Sequence, residues 1–332
     1  MTPTMGAKRA KRRRRIAAVV SLLFGLLLLD YLSYPFLARP GGPTRNKAEN
    51  GLWLRYTWYF GQTSDADVRS LAQRLQAEQV RYAYFHVRGI TASGVLKFHD
   101  ADAARKLVTA LHRQAPGVKL LAWIYAGNAN GEGAVDLSKP DVRRAMAGEA
   151  RWLVMACGFD GVQWDYEICP DGDRHFLEML QETRTALPPG KTLSAAVPMW
   201  LPSPLRRFGW SDGYFAQVSG VCDQMAVMCY DSGCYLPRGY VALVRQQVVH
   251  VSDAVARGNP HCRVMFGLPS YGRGGPSHHA PAENVRMALI GVREGLADPH
   301  ASPAVVAGVA PFADYTTQPS EWRTYEDWWL RP

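Results

Sequence analysis

Eight short apolar segments recur along residues 51–332, and most of them are followed by a segment with helical periodicity. Several of these segments, rich in Val, Tyr, Phe and Trp, are apolar almost throughout, as expected for parallel strands buried on both faces. The predicted strands are 52–60, 80–87, 118–125, 158–164, 192–197, 224–230, 263–268 and 305–313. The predicted helices lie near 65–78, 100–114, 140–156, 173–186, 238–256, 282–296 and 320–330, with a weaker one near 211–220.

This alternation predicts an α/β fold, and its length favours a (β/α)8 TIM barrel. Eight β/α units in about 280 residues match the usual size of that barrel. The alternative is a doubly wound open sheet, whose dinucleotide-binding form needs a G-x-G-x-x-G turn after a strand. None of the predicted strands is followed by such a turn. In a barrel, the chemistry should lie at the carboxyl ends of the strands.

The N-terminal region has the pattern of a segment that enters a membrane. An apolar span, 16–38, follows a leader, 1–15, with seven basic residues between Lys8 and Arg15. A charged leader before an apolar run is typical of a cleavable signal peptide, but 23 residues are also enough to span a bilayer. Because Phe36 occupies a position where a cleavage site needs a small residue, we favour an uncleaved signal-anchor. Either interpretation leaves the leader in the cytoplasm and exports the rest, as a single-pass membrane protein or a secreted one.

The net charge of +9 is almost entirely a property of the first fifty residues. Residues 1–50 hold ten basic and two acidic residues, so residues 51–332 carry a charge of only about +1. We therefore expect no nucleic-acid partner, since such proteins concentrate basic residues on their folded domain. Residues 39–50 contain the run Pro-Gly-Gly-Pro and few apolar residues, and we predict that they link the membrane segment to a monomeric barrel at 51–332.

The fourth predicted strand carries the strongest candidate chemistry. It reads Gly-Phe-Asp-Gly-Val-Gln-Trp-Asp-Tyr-Glu from 158 to 167, and alternation places Gln163, Asp165 and Glu167 on one face. Two carboxylates on one strand face repel each other, so one of them is driven towards the protonated state that a general acid needs. The alternative is a pair of solvated acids at a strand end.

This strand resembles the active-site signature of glycoside hydrolase family 18, the chitinase-like TIM barrels, whose pattern is D-x-x-D-x-D-x-E. The four named places of the pattern fall on Asp160, Gln163, Asp165 and Glu167. Two further strands are similar to the family motifs M-x-Y-D and G-x-P-x-Y-G-R. They place Met228, Tyr230, Asp231, Tyr271 and Arg273 at the motif positions. The resemblance covers roughly residues 52–315.

The resemblance implies a retaining glycosidase in which the substrate assists its own cleavage. Glu167 would protonate the glycosidic oxygen, and the 2-acetamido oxygen of the sugar would act as nucleophile, giving an oxazolinium ion. Asp165 would orient the acetamido group, and Tyr230 would hydrogen-bond its oxygen. The other matched positions would bind or shape the sugar site: Asp160, Gln163, Met228, Asp231, Tyr271 and Arg273.

The sequence departs from the family pattern at four places, and one of them is the third strand, 120–127, which lacks the family's S-x-G-G motif. Gln163 stands where the family usually has an Asp, although a Gln could still hydrogen-bond Asp165. The eighth strand lacks the usual Trp, and Phe312 or Tyr315 could stack on the sugar instead. Only about 30 residues separate Arg273 from that strand, too few for a large inserted α+β domain, so we expect a shallower groove.

We expect no metal or organic cofactor, and we expect two disulfides. The six cysteines show no C-x-x-C spacing of the kind that holds zinc, and His278 and His279 lie in a Gly/Pro/Ser loop where solvation is the ordinary state. Export permits disulfides. Cys169 and Cys234 each follow a predicted strand, whereas Cys222 and Cys262 each precede one, so the members of each pair lie at the same end of the barrel. We therefore predict the bridges Cys169–Cys234 and Cys222–Cys262.

The leading hypothesis is therefore a membrane-tethered or secreted hydrolase of polysaccharides or oligosaccharides that contain β-linked N-acetylglucosamine. Chitin oligomers, peptidoglycan strands and the chitobiose core of N-glycans are the candidate substrates. Two alternatives stay open, namely a non-catalytic glycan-binding protein of the same fold and a hydrolase of another glycan.

Overall fold

The computed structural model describes residues 5–127 and 134–331, with the side chains of 5–12 excepted. Eight parallel strands form one sheet in which each strand pairs with the next along the chain. The strands are β1 Asn50–Leu54, β2 Val80–Gly89, β3 Lys119–Gly127, β4 Gly161–Glu167, β5 Thr192–Val197, β6 Gln224–Val227, β7 Arg263–Pro269 and β8 Val306–Phe312. The (β/α)8 prediction is confirmed.

Helices cover the outside of the sheet, and every helix except α1, which precedes β1, comes after a strand. They are α1 Met5–Leu37, α2 Asp65–Ala77, α3 Ala101–Gln114, α4 Pro140–Cys157, α5 Arg174–Ala186, α6 Asp212–Ser219, α7 Pro237–Gly258, α8 Val285–Ala297 and α9 Pro319–Tyr325. Short polar side chains begin several of them, as the sequence predicts. Ser64 and Asp67 form a reciprocal capping box at α2, and Asp173 accepts two backbone N–H groups at α5.

The last strand lies beside the first and nearly closes the barrel. The side chain of Asn50 on β1 accepts a hydrogen bond from the backbone of Val309 on β8 (3.3 Å), and the carbonyl of Trp53 accepts one from the backbone of Asp314 (3.1 Å). Trp329, from the C-terminal segment, also donates to Asn50 (2.7 Å). Contacts from β1, β8 and the chain end thus converge on one buried Asn.

The barrel interior is a packed aromatic core, separate from the larger core between strands and helices. Its buried apolar members are Trp53, Tyr82, Tyr84, Leu121, Trp123, Ala226, Met265, Ala307, Ala310 and Ala313. Large rings from β1 to β3 pack in this core with small residues of β6 and β8, as in the side-chain layers that fill such a barrel. Between β7 and β8 the chain contains α8 and connecting loops, so the prediction that no large domain is inserted there is also confirmed.

The apolar N-terminal span forms the long helix α1, and its last two turns contact the barrel. Residues 13–37 are long and apolar enough to cross a membrane, with a mean hydropathy of 2.2 and no burial over the apolar window. Closer to its end, Asp30 accepts a forked interaction from Arg238 at the start of α7 (2.6 to 3.1 Å). Tyr31 hydrogen-bonds His279 (2.8 Å) in the loop after β7.

The predicted disulfides are wrong, because all six cysteines are free thiols. The Cys169 thiol lies against the Tyr214 hydroxyl (3.9 Å), whereas the Cys234 thiol faces the carbonyl of Leu236 at the start of α7 (3.5 Å). Cys222 and Cys262 are both buried at the other end of the barrel. Sharing an end of the barrel is a much weaker condition than a disulfide, which requires Cβ atoms about 3.5–4.5 Å apart.

Candidate active site

The candidate catalytic residues gather at the carboxyl ends of the strands, where a barrel holds its chemistry. Asp165 and Glu167 are the fifth and last residues of β4. Tyr230 and Asp231 follow β6, Tyr271 follows β7, and Phe312 ends β8. The topology therefore brings together residues separated by almost 150 positions in the sequence.

Asp165 is held by a tryptophan from the neighbouring strand. Its side chain is 4% exposed, and one carboxylate oxygen, Oδ2, accepts a hydrogen bond from Trp123 on β3 (2.8 Å). The other oxygen, Oδ1, is buried and has no hydrogen-bond partner among the residues that the structure describes. Burial, followed by the nearby charge of Glu167, holds the pKa of Asp165 well above its usual range. An unsatisfied buried oxygen is costly in a folded protein, so it marks a place where a ligand would donate a hydrogen bond.

Glu167 lies one strand period further out and is half-buried at the mouth of the barrel. Burial raises its pKa, the charge of Asp231 adds to that rise, and Asp165 partly offsets it. A raised pKa keeps a carboxylic acid protonated closer to neutral pH, which is the state a general acid requires.

Aromatic rings on or just after five strands form a floor beside these carboxyl groups. Phe312 stacks on Tyr230, with ring centroids 4.9 Å apart and an angle of 24° between the planes. The edges of Trp53 (5.5 Å), Trp123 (5.9 Å) and Tyr271 (6.1 Å) meet the same ring. Phe312 thus occupies the centre of the floor.

Tyr315, the alternative stacking residue, lies elsewhere. It is 47% exposed, and its ring faces the guanidinium group of Arg55 (5.4 Å). It is therefore outside the aromatic floor around Phe312.

Gln163 does not bond Asp165, contrary to the expectation from its place on the same strand face. Its amide oxygen accepts from the Trp53 indole (2.8 Å), and its amide nitrogen donates to Ser194 (3.1 Å). The side chain is fully buried below the carboxylates, inside the barrel. Asp165 is instead held by Trp123, a residue whose apolar neighbours in the sequence would by themselves place it in the core.

Asp160 lies at the opposite end of the barrel and is not brought to the site. It precedes β4, and its carboxylate accepts from His112 (2.8 Å) and from the backbone of Leu120 (2.9 Å). The length of the strand explains this position, because a residue seven positions before Glu167 is a full strand length away. Asp160 therefore ties β4 to β3 and α3.

Two further motif residues lie near the mouth of the barrel. Met228 directly follows β6 and is half-buried, while Arg273 is exposed in the loop after β7. Within the described residues, the guanidinium group of Arg273 has no ion-pair partner.

A buried carboxylate that the sequence does not single out fixes the loop after β6. Glu283 has no solvent exposure, and its oxygens accept from the backbone N–H groups of Asp231 and Ser232 (both 2.9 Å) and from the Ser232 hydroxyl. This anchoring holds Asp231 in the left-handed backbone region, at a φ of +53°. The position of Asp231 at the mouth thus depends on Glu283.

His278 extends this network to Tyr271, and its predicted solvation is wrong. Its side chain is 2% exposed, Nδ1 lies 3.1 Å from Glu283, and Nε2 lies 3.1 Å from the carbonyl of Tyr271. The ring also packs on that of Tyr271, with centroids 4.3 Å apart. One buried acid therefore connects the loops after β6 and β7.

The same residues form a cluster whose donor atoms could in principle hold a metal. Ligand atoms of Asp231, His278 and Glu283 lie within 4.8 Å of one another. The oxygens of Glu283 already accept N–H and O–H groups, and both nitrogens of His278 face acceptors. Because a metal would have to displace these hydrogen bonds, the donor set fits a positioning network better than a cation site.

Comparisons with known proteins bear on the family and the fold of the chain. The sequence profile of the family described as glycosyl hydrolases family 18 matches residues 55–329. No curated protein matches the chain significantly.

Among solved structures, the Bacillus cereus spore cortex-lytic enzyme SleL is similar with a TM-score of 0.58, 14% identity, and coverage of 86% of this chain and 75% of that one. A class V chitinase of Pseudomonas fluorescens Pf-5 has a TM-score of 0.58 and 14% identity, with coverage of 85% and 99%. A Group IV chitinase of Ostrinia furnacalis has a TM-score of 0.57 and 13% identity, with coverage of 85% and 100%. At these identities the likeness shows the fold.

Proposed function

Because the chain belongs to glycosyl hydrolases family 18, we propose that it is a retaining hydrolase of glycans containing β-linked N-acetylglucosamine. The observation that carries this proposal is the pair Asp165 and Glu167. Both lie on one face of β4 at the mouth of the barrel, and both have a raised pKa. The similar structures, which are those of chitinases and a spore cortex-lytic enzyme, support the same class of substrate.

In the proposed reaction, Glu167 gives its proton to the glycosidic oxygen as the bond from that oxygen to the sugar C1 breaks. The acetamido oxygen of the same sugar forms a bond to C1, and the resulting oxazolinium ion carries the positive charge. Water then attacks C1 from the face that the leaving group occupied, the bond from C1 to the acetamido oxygen breaks, and the water gives a proton to Glu167. The configuration at C1 is therefore retained.

Asp165 and Tyr230 would act on the acetamido group. The unpartnered Oδ1 of Asp165 can accept the acetamido N–H, which orients the group and stabilises its developing positive charge. The Tyr230 ring is 9% exposed and packs in the aromatic floor, so its hydroxyl is held by the fold rather than by the substrate. Phe312 would then lie under the reacting sugar.

We expect residues 51–332 to cleave chitotriose and chitotetraose and to be inhibited competitively by a thiazoline that mimics the oxazoline intermediate. The β anomer should appear first in the product when the reaction is followed by proton NMR. A rapid assay of reducing ends, with and without the thiazoline, measures the inhibition.

The outcomes of this experiment separate the three hypotheses. Binding of the oligosaccharides without cleavage would favour a glycan-binding protein. Cleavage that needs Glu167 but resists thiazoline would favour a hydrolase of another glycan, and a first product with inverted configuration would refute the mechanism.

We further propose that α1 is kept as a membrane anchor with the barrel on the exported side. Its apolar residues between 16 and 29 are exposed, while Asp30 and Tyr31 make specific polar contacts with Arg238 and His279 of the barrel. Removal of the helix would leave these barrel residues without those partners.

A cell-fractionation experiment tests the anchor. The full chain should stay in the membrane pellet at high salt and be released by detergent at its full length. Leu26→Arg should reduce the membrane fraction, since an arginine at a helix centre costs about 2.5–3.5 kcal/mol of insertion free energy. Arg238→Ala removes the contact with Asp30 without changing the apolar run, and it should remain in the membrane. A soluble product beginning after residue 38 would contradict the proposal.

A further inference from the structure

A row of aromatic rings leads from Asp165 across β3 and β2 to the loop after β1. Trp123, which bonds Asp165, stacks on His86 with ring centroids 4.2 Å apart and 27° between the planes. The edge of the next ring, Tyr56, meets His86 at 6.4 Å. The outer ring, Tyr56, is partly exposed, so the row leads from the buried acid to the surface at the barrel mouth.

Two arginines flank the outer end of this row. The guanidinium carbon of Arg88 lies 4.7 Å from the centroid of the Tyr56 ring, and that of Arg55 lies 5.5 Å from it. Both side chains are exposed. The two positive charges therefore share one aromatic ring at the barrel mouth.

The backbone directs Arg88 to this position. The pairing of β2 with β3 shifts register between His86 and Gly89, and Arg88 has a φ of +72°. A left-handed conformation is unfavourable for a residue other than Gly. Irregularities of this kind are over-represented beside active sites, where they redirect a side chain.

Neither arginine has an anionic partner among the residues that the structure describes. Other arginines of the barrel do, as Arg245 pairs with Asp298 (2.7 Å) and Arg263 with Glu49 (2.6 Å). Since residues 51–332 are close to neutral, the two unpaired guanidinium groups beside Tyr56 do not simply reflect an overall basic surface.

We propose that Arg55 and Arg88 form a subsite for a carboxylate carried by the glycan, at the outer end of the aromatic row that begins at Asp165. The preferred substrate would then combine N-acetylglucosamine with a carboxylate-bearing sugar. This inference rests on the proposed function, and it adds the charge of the substrate. The carboxylate could belong to the sugar's own acid substituent or to a peptide attached to it.

The test compares substrates that differ only in charge. Three tetrasaccharides serve: neutral chitotetraose, an alternating tetrasaccharide of N-acetylglucosamine and N-acetylmuramic acid with free carboxylates, and the same compound with its carboxylates converted to methylamides. For the double variant Arg55→Gln/Arg88→Gln, we expect kcat/KM on the acidic compound to fall about tenfold, with changes below twofold on the other two. Arg113→Gln, an exposed arginine in the last turn of α3, is the control and should leave all three unchanged.

A fourth substrate, in which the carboxylates carry short peptides, distinguishes the two sources of the charge. If the activity of the double variant on this substrate falls by as much as its activity on the free acid, the subsite accepts a peptide carboxylate as well. Equal losses on acidic and neutral substrates, or no loss on the acidic one, would overturn the proposal.

A binding measurement keeps this inference separate from the proposed catalysis. If the chain cleaves none of the compounds, the proposed function fails, but calorimetric titration still decides the subsite. Tighter binding of the acid than of its methylamide, lost in the double variant, supports it. Equal binding of the two compounds by the unmodified chain contradicts it.

Discussion

Replacing Glu167 by Gln should reduce kcat on chitotetraose by about 10²–10⁴-fold, the usual contribution of general acid catalysis. Gln keeps the shape of the side chain but has no proton to give to the leaving oxygen. KM should change little, because the aromatic floor around Phe312 and the acceptor Oδ1 of Asp165 both remain.

The same change should leave the fold intact, which makes the loss of activity interpretable. Glu167 is half-buried and raises the pKa of Asp165 through its charge, so removing that charge relieves a repulsion. Thermal unfolding of Glu167→Gln should occur at the same temperature as for the unmodified chain or slightly above it. Glu294→Gln, at a half-buried acid on the outer helix α8, is the matched control and should retain activity.

A pH-rate profile adds an independent measurement. Since the pKa of Glu167 is raised, the unmodified enzyme should keep its activity to a higher pH than a free glutamic acid would permit. Glu167→Gln should lose that alkaline limb. Full activity in the variant would remove Glu167 from the mechanism.

The sequence was sufficient for the barrel and for its central acids because both depend on short-range periodicity. Alternation alone places Asp165 and Glu167 on one face of β4, and the recurrence of apolar runs gives eight strands with helices between them. The ends of elements were less predictable. β1 stops at Leu54 rather than near 60, since the following aromatic residues turn over the barrel mouth instead of continuing the sheet.

The contacts that hold the site could not be read from the sequence because they join distant segments. Glu283 binds the backbone of residues 231 and 232 across about 50 positions, and no local pattern marks it except its place just before the N-cap of α8. Trp123 reads as core by composition, and only the register of β3 against β4 shows that its indole reaches Asp165.

Substituting Asp165 by Asn is the second change with a large expected effect, and its effects on activity and stability have opposite signs. We expect kcat to fall about 10²-fold or more, because Asn cannot give up a proton and become the carboxylate that stabilises the positive charge developing on the acetamido group. An Asn oxygen can still accept the Trp123 hydrogen bond, so the loss reports on charge rather than on a collapsed site.

Stability should increase in the same variant at neutral pH, and the gain should depend on pH in a defined direction. Folding raises the pKa of Asp165, so the folded chain holds a proton that the unfolded chain has released above about pH 4. The free energy of unfolding of the unmodified chain therefore falls as the pH rises through this window, and Asp165→Asn removes that fall. Relief of a buried, poorly satisfied charge is worth about 1–3 kcal/mol, or about 2–12 °C in Tm for a domain of this size.

Thermal unfolding of residues 51–332 between pH 4 and pH 8 measures this dependence, with Asp298→Asn as the control of opposite sign. The Arg245 guanidinium and the backbone of His300 hold the pKa of Asp298 below its usual range, so that carboxylate stabilises the fold at neutral pH and loses this effect as the pH falls. The Tm of Asp165→Asn should rise above that of the unmodified chain as the pH increases, whereas Asp298→Asn should fall below it. Parallel curves for Asp165→Asn and the unmodified chain would show that Asp165 carries no raised pKa. The proposed electrostatic effect of Glu167 on Asp165 would then be wrong.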